Sequence, residues 1–131
     1  MDTLFIGHNI LSFSTLDSTN DYSWELLSKK RYIEGTIVLA QFQRKGKGQR
    51  GKKWSCNRGE GLLFSIILHP KELIINQYYL NKAVALGVCE GINQLGVCSK
   101  IKWPNDIYVN NKKIAGILIE NSVSGQLINN S

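Results

Sequence analysis

Thr36-Ile37-Val38-Leu39-Ala40-Gln41-Phe42 runs through Gln43 straight into Arg44-Lys45-Gly46-Lys47-Gly48-Gln49-Arg50-Gly51-Lys52-Lys53, and Trp54 follows. The first seven residues are apolar and β-branched, the pattern of a strand. The next ten carry six cations, three glycines and no acid. The basic stretch is therefore a loop at a strand end. The chain has 131 residues, with sixteen Lys+Arg, ten Asp+Glu and a formal net charge of +6. Without the loop the two signs balance, so the whole excess sits in one glycine-punctuated segment. Glycines let backbone approach a ligand closely, and cations suit a phosphate. The spacing is neither a Walker A loop nor a Rossmann fingerprint. A solvated flexible loop is the bland alternative, and for an isolated basic segment the two readings stand about even.

Outward from that strand, the remaining elements alternate in type. Residues 10–16 mix apolar and Ser/Thr positions and suit a strand. Asp17-Ser18-Thr19-Asn20 is a cluster of helix N-caps, and residues 19–30 read as a helix closing on Lys29 and Lys30, a basic last turn. Leu62-Leu63-Phe64-Ser65-Ile66-Ile67-Leu68 is a second continuous strand, stopped at His69-Pro70. Leu80, Ala83/Val84, Val88, Gly91/Ile92 and Leu95 keep helical spacing over residues 77–95. Gly87 and Gly91 are expected to let that helix approach a sheet, and Gly96 to cap it. Lys100-Ile101-Lys102-Trp103 is a short strand. Ile107-Tyr108-Val109 and Lys113 to Glu120 flank Asn110-Asn111, which reads as a type I′ hairpin. Gln126-Leu127-Ile128 starts another strand. The fold class is α/β (α+β): a mixed, mainly antiparallel sheet with two helices packed on it. There are no repeats, linkers or second-domain boundaries.

Composition narrows the function classes. The length suits one domain. No apolar run approaches the roughly 18 residues of a spanning helix, so no membrane role is expected. The N-terminus lacks the basic-then-apolar order of a signal peptide. Cys56, Cys89 and Cys98 are odd in number and lack C-x-x-C spacing, which favours reduced thiols and a cytoplasmic setting over a disulfide framework or zinc. Nucleic-acid binders spread basic residues over a face with aromatic platforms; here the excess is local and flanks only Trp54.

Four short motifs carry candidate chemistry, each with a plain structural alternative. Asp17-Ser18-Thr19-Asn20 offers hydroxyls and N–H groups at a helix start, or simply a cap. The basic loop offers backbone donors and cations to an anion. In Lys102-Trp103-Pro104-Asn105-Asp106, the proline extends its predecessor and Asn-Asp favours a turn. There Asn105 suits a base edge and Asp106 a metal or a sugar hydroxyl; alternatively both satisfy the turn and Trp103 packs in the core. In Lys112-Lys113-Ile114-Ala115-Gly116, one lysine points inward beside small residues, or both are solvated guards of an edge.

The four motifs in this order, D-S-T-N, Q-x-x-G-K-G-x-R-G-K-K-W, K-W-P-N-D and K-K-I-A-G-I-L-I-E, resemble the catalytic domain of biotin–protein ligases (biotin–[acetyl-CoA-carboxylase] ligase) over about residues 14–120. The resemblance implies a biotin/lipoate ligase fold. It implies condensation of biotin with ATP, using Mg²⁺, to biotinyl-5′-AMP and pyrophosphate. The biotinyl group then passes to a lysine of a biotin carboxyl carrier protein. By matching position, Ser18, Thr19, Asn20 and Gln43 belong to the biotin site, with Gly46, Lys47, Gly48 and Gln49 in the loop that covers the intermediate. Arg50, Lys52, Trp54 and Asn105 fall on the ATP and adenylate side. Lys113 meets the biotin carboxyl and the phosphoryl oxygen, near Gly116. Lys102 and Asp106 complete the catalytic set, and metal ligands are not assigned.

A fixed cation such as Lys113 offsets the repulsion when a carboxylate attacks a phosphate. A loop that orders over a hydrolysable anhydride excludes water from it. The sequence departs from the family pattern at Lys47 and Gln49, where arginines are common, which implies a weaker lid. Family members also continue with a G-I-N-V-N strand and a C-terminal β-domain. Residues 1–131 are accordingly expected to be an incomplete catalytic domain with weak ligation, without an N-terminal DNA-binding module and without DNA repression. Some members dimerise through their sheets. The rivals are a lipoate or octanoate ligase of the same superfamily, a non-catalytic biotin-binding fragment and, last, a nucleic-acid-binding module.

Overall fold

The computed structural model describes residues 4–70, 77–124 and 127–131. They fall into two compact units, residues 1–69 with 130–131, and residues 70–129.

In the first unit, β1 (Ile10–Phe13) lies parallel to β2 (Ile37–Ala40), which pairs antiparallel with β3 (Leu63–Ile66). The parallel pair requires a crossover, and α1 (Thr19–Ser28) supplies it, packing on β2 and β3. Its buried side sets Leu26 against Val38 and Ile67, with Phe13, Leu16 and Tyr22 around them. Phe13 and Tyr22 meet edge to face at 4.7 Å. Ser18 caps α1, its Oγ accepting from Asp21 N–H at 3.3 Å. The expected basic last turn is not formed. The helix ends at Ser28, Lys29 is its C-cap with its ammonium on Glu25, and Lys30 turns left-handed at φ 52°. Beyond β3, Leu68 and Ser131 exchange backbone hydrogen bonds at 2.9 and 3.0 Å.

In the second unit, α2 (Gln77–Asn93) packs on β4 (Lys100–Lys102) and β5 (Asp106–Val109). β6 (Lys112–Gly116) completes the antiparallel order β4-β5-β6. Asn110 and Asn111 both take positive φ, 48° and 63°, as a type I′ turn needs. Gly96, at φ 81°, turns the chain after α2. The reading of Gly87 and Gly91 as a close-packing pair is corrected: both are exposed, and a side chain on either would meet nothing within 4 Å. The inward stripe instead centres on Ala85, which is fully buried, while Ala83 and Leu95 face outward. β7 (Ser122–Ser124) pairs with β8 (Leu127–Asn130). The expected last strand is thus present and extends past Ile128, although Gln126 lies outside the described residues. The strands form three small sheets among the described residues, mostly antiparallel, with two helices. All three cysteines are free thiols.

Candidate functional site

In the first unit the site grows from the join between β2 and the start of α1. Leu16 and Gln43 form a parallel bridge past the ends of β1 and β2. That bridge sets the Gln43 side chain against the first turn of the helix. Gln43 Oε1 accepts from Thr19 N–H at 2.7 Å and from Thr19 Oγ–H at 3.0 Å. One of the helix's orphan N–H groups is thereby satisfied by a side chain from a strand. Thr19 and Ser18 are buried, at 4% and 2% exposure. Ser65, from β3, donates to Thr19 Oγ1 at 2.8 Å and also touches Asn20. The result is a part-buried cluster of uncharged donors and acceptors at the start of α1.

The basic loop leaves directly from this cluster. In the structure the loop closes on itself. Gly46 C=O accepts from Trp54 N–H at 2.9 Å, Gly48 N–H donates to Lys52 C=O at 2.7 Å, and Lys47 and Lys53 form an antiparallel bridge. Its tip is a 3₁₀ turn over Gln49–Gly51, with Arg50 at φ 54° and Gly51 at φ 73°. Gly46 is buried, and a Cβ there would lie 2.4 Å from Trp54 O and 3.1 Å from Gln43 Nε2. Glycine is thus required by crowding at this position. Trp54 is half-buried at the loop's base.

The loop's charge is divided. Arg44 and Lys45 both reach Asp17, at 2.6 and 3.2 Å, and Lys47 pairs with Asp21. Hydrogen bonds from Arg44 and then Lys45 hold the Asp17 carboxyl below its ordinary value. Among the described residues, Arg50 at the tip and Lys52 and Lys53 on the returning limb form no ion pair and are exposed. The cations therefore form an anchoring group and a projecting group, a distinction that composition does not contain.

The second unit gathers the remaining motif residues on β4, β5 and β6. Lys102 stands opposite Asp106 in register, and Asp106 stands opposite Gly116. The register slips between Ile107 and Tyr108, so that Ala115 and Lys113 face consecutive residues and Ile114 is the extra one. A bulge of this kind re-aims neighbouring side chains. Lys113 Nζ here meets Asp106 Oδ1 at 2.7 Å, and Lys102 Nζ lies 5.4 Å from the centre of the Tyr108 ring. Lys102, Asp106, Tyr108 and Lys113 thus form one charged cluster. Asn105 takes its structural role in full: its Nδ2–H donates to Ile117 C=O at 3.0 Å, and its own C=O accepts from Ile117 N–H at 2.8 Å. Trp103 is 49% exposed, which corrects the core-packing reading. It precedes a cis peptide to Pro104 in the turn between β4 and β5.

Sequence reasoning missed Ser65, Tyr108 and the bulge at Ile114. Ser65 was readable only as a polar break in an apolar strand. No group of three or more His, Cys, Asp or Glu side chains is gathered among the described residues.

Residues 12–130 match the model of the biotin/lipoate A/B protein ligase family, and the chain belongs to that family. It is 35% identical over 121 residues to the bifunctional ligase/repressor BirA of Bacillus subtilis, a match covering 92% of this chain and 37% of that protein. It is 34% identical over 113 residues to the biotin–[acetyl-CoA-carboxylase] ligase of Paracoccus denitrificans, covering 83% and 45%. Its structure resembles the biotin protein ligase of Aquifex aeolicus in complex with biotin and ATP, with a TM-score of 0.73 at 32% identity, over 94% of this chain and 50% of that one. The Helicobacter pylori biotin acetyl coenzyme A carboxylase synthetase with bound biotinylated ATP gives 0.72 at 28%, over 93% and 58%. The chain thus spans between about a third and three fifths of the length of these relatives.

Proposed function

We propose that this chain carries the biotin- and ATP-binding part of a biotin–protein ligase. It would activate biotin as biotinyl-5′-AMP and pass the biotinyl group to a lysine of a biotin carboxyl carrier domain. One observation carries the choice of substrate: a part-buried, uncharged hydrogen-bonding cluster of Thr19, Gln43 and Ser65 adjoins a cationic glycine loop. Biotin has that polarity, with a neutral ureido head at one end and a carboxylate at the other. A lipoyl or octanoyl head offers no hydrogen-bonding groups and would leave the cluster's polar atoms unmatched, a penalty in a part-buried site.

In this reading Ser18, Thr19, Asn20 and Gln43 hold the ureido and thiophene end. Gly46, Lys47, Gly48 and Gln49 border the tail, and Arg50, Lys52 and Trp54 serve the adenylate. In the first step a biotin carboxylate oxygen bonds to the α-phosphorus of ATP, and the bond from that phosphorus to the bridging oxygen breaks, releasing pyrophosphate. Lys113 places an ammonium where the two anions meet. Asp106 orients it through the 2.7 Å ion pair, and Lys102 adds a second cation from the next strand. In the second step the carrier's lysine amine attacks the acyl carbon, AMP leaves, and the amine loses a proton. Magnesium fits as a companion of the triphosphate. Asp106 is the carboxylate of this cluster that would hold it, alongside its pair with Lys113.

Biotin-dependent ATP–pyrophosphate exchange tests the reading, with lipoate and octanoate as competitors. Exchange supported by biotin alone is the expected result. Exchange with lipoate in place of biotin would refute the assignment.

A further inference from the structure

The polar cluster contains three contacts but only two hydroxyl protons. Gln43 Oε1 accepts from the backbone N–H of Thr19, which identifies that end of the amide as the oxygen. The Thr19 hydroxyl, 3.0 Å from the same oxygen, must then give its proton to Gln43. Its lone pairs remain for Ser65, 2.8 Å away, whose single proton goes to Thr19. Ser65 has no second proton for Asn20, whose Oδ1 is the atom placed against the same hydroxyl. All three contacts hold together only when the Asn20 amide is turned over from that placement, so that its N–H rather than its Oδ1 faces Ser65.

We propose that Ser65 is a positioning residue for the biotin head. It relays hydrogen bonding in one direction, from Asn20 N–H to Ser65, to Thr19, to Gln43 Oε1. The relay adds to the Thr19 backbone N–H in holding the Gln43 amide with its Nε2–H₂ donors on the Gly46 side, where a Cβ on residue 46 would lie 3.1 Å from Nε2. A pocket with such a fixed donor reads an acceptor such as a ureido carbonyl. Ser65 reaches this place because β3 registers it opposite Val38, in the sheet on which α1 packs. The inference rests on the biotin reading above.

The test compares Ser65→Ala and Ser65→Thr with the unmodified chain, by calorimetry with biotin and by exchange kinetics. Ser65→Ala is expected to weaken biotin binding about tenfold, the effect of one hydrogen bond lost from a part-buried cluster. KM for ATP and kcat should stay within about twofold, a fraction of the change one such bond makes. Ser65→Thr, which keeps the hydroxyl, should recover binding. Unchanged affinity in Ser65→Ala, or equal losses in both variants, overturns the inference and leaves the biotin reading standing. Absence of biotin binding in the unmodified chain overturns both. Without any ligand, exchange of the Asn20 side-chain amide protons should quicken in Ser65→Ala, and an unchanged rate also refutes the relay.

Discussion

Replacing Gly46 by alanine tests the loop's architecture through one atom. An added Cβ would stand 2.4 Å from the Trp54 carbonyl oxygen, whereas ordinary contact begins at 3.4 Å. The obstacle is backbone, so no rotamer change relieves it, and the strands must separate by about 1 Å at the loop's neck. That separation strains the 2.9 Å hydrogen bond from Trp54 N–H to Gly46 C=O and presses Gln43 Nε2 away. Overpacking of this sort costs about 1–3 kcal/mol, which is roughly a 5- to 150-fold shift toward the open loop. Two sister positions act as internal controls. A Cβ at Gly48 comes no nearer to Lys52 than 3.3 Å, at its O, and one at Gly51 meets nothing within 4 Å although its φ is 73°. Alanine at Gly51 costs about 1–2 kcal/mol through its positive φ, but that strain falls at the loop tip and not at the neck. Amide hydrogen exchange at Trp54 is the assay, because that N–H reports the neck alone. Gly46→Ala should lose at least about fivefold protection, and more than Gly48→Ala or Gly51→Ala. Equal protection in all three variants would show that the neck is not where the loop is held, and the reasoning would fail.

Three further outcomes follow from the same geometry. Lys113→Ala removes the ammonium from Asp106 and should slow biotin-dependent exchange by about 100-fold or more, the scale of one lost charge-stabilising group; a change under tenfold would place the reacting carboxylate elsewhere. Gln49→Arg adds a guanidinium at the loop tip and should slow release of the biotinyl-adenylate, measured by single-turnover hydrolysis; unaltered release would show that the missing charge is immaterial. Asp17 is held below its ordinary value of 3.8 by Arg44 and Lys45, so its tie to the loop is complete above that value and is lost as pH falls through the lower folded one. A carboxyl-carbon titration of Asp17 checks this, and a midpoint at or above 3.8 would contradict it.

Much of the architecture was legible because its signals are local. The apolar runs around Val38 and Ile67, the cap at Ser18 and the paired Asn110-Asn111 turn each depend on a few adjacent residues. The parts that were not legible depend on register between distant strands. Ser65 gains its neighbours only when β3 aligns with β2 beneath α1, 46 residues from Thr19 in sequence. The slip at Ile114 is a property of pairing between β5 and β6. Trp103 misled because a large apolar ring beside a strand suggests burial, but the turn at Pro104 leaves it outside. Gly87 and Gly91 misled because a small-residue spacing says nothing about which side of α2 faces the sheet; Ala85 decides that.

The division of charge within the basic loop changes what the +6 excess means. Arg44, Lys45 and Lys47 are engaged by Asp17 and Asp21 at the start of α1, where the helix dipole favours acidic side chains. These carboxylates are doubly stabilised, and the loop is drawn to the helix that carries Thr19. Pairs this exposed are individually weak. They are strong enough collectively to bias the loop closed, yet an incoming polyphosphate can outbid any one of them. Arg50, Lys52 and Lys53 need no such exchange, since no acid holds them among the described residues. On the proposed function, therefore, the tip supplies first contact with the anion and the neck supplies position. Neutralising a tip cation should then lower the association rate and its salt dependence, whereas neutralising Asp17 or Asp21 should leave that rate alone and loosen the closed loop. If both substitutions act on the same kinetic step, the loop works as one undivided cation.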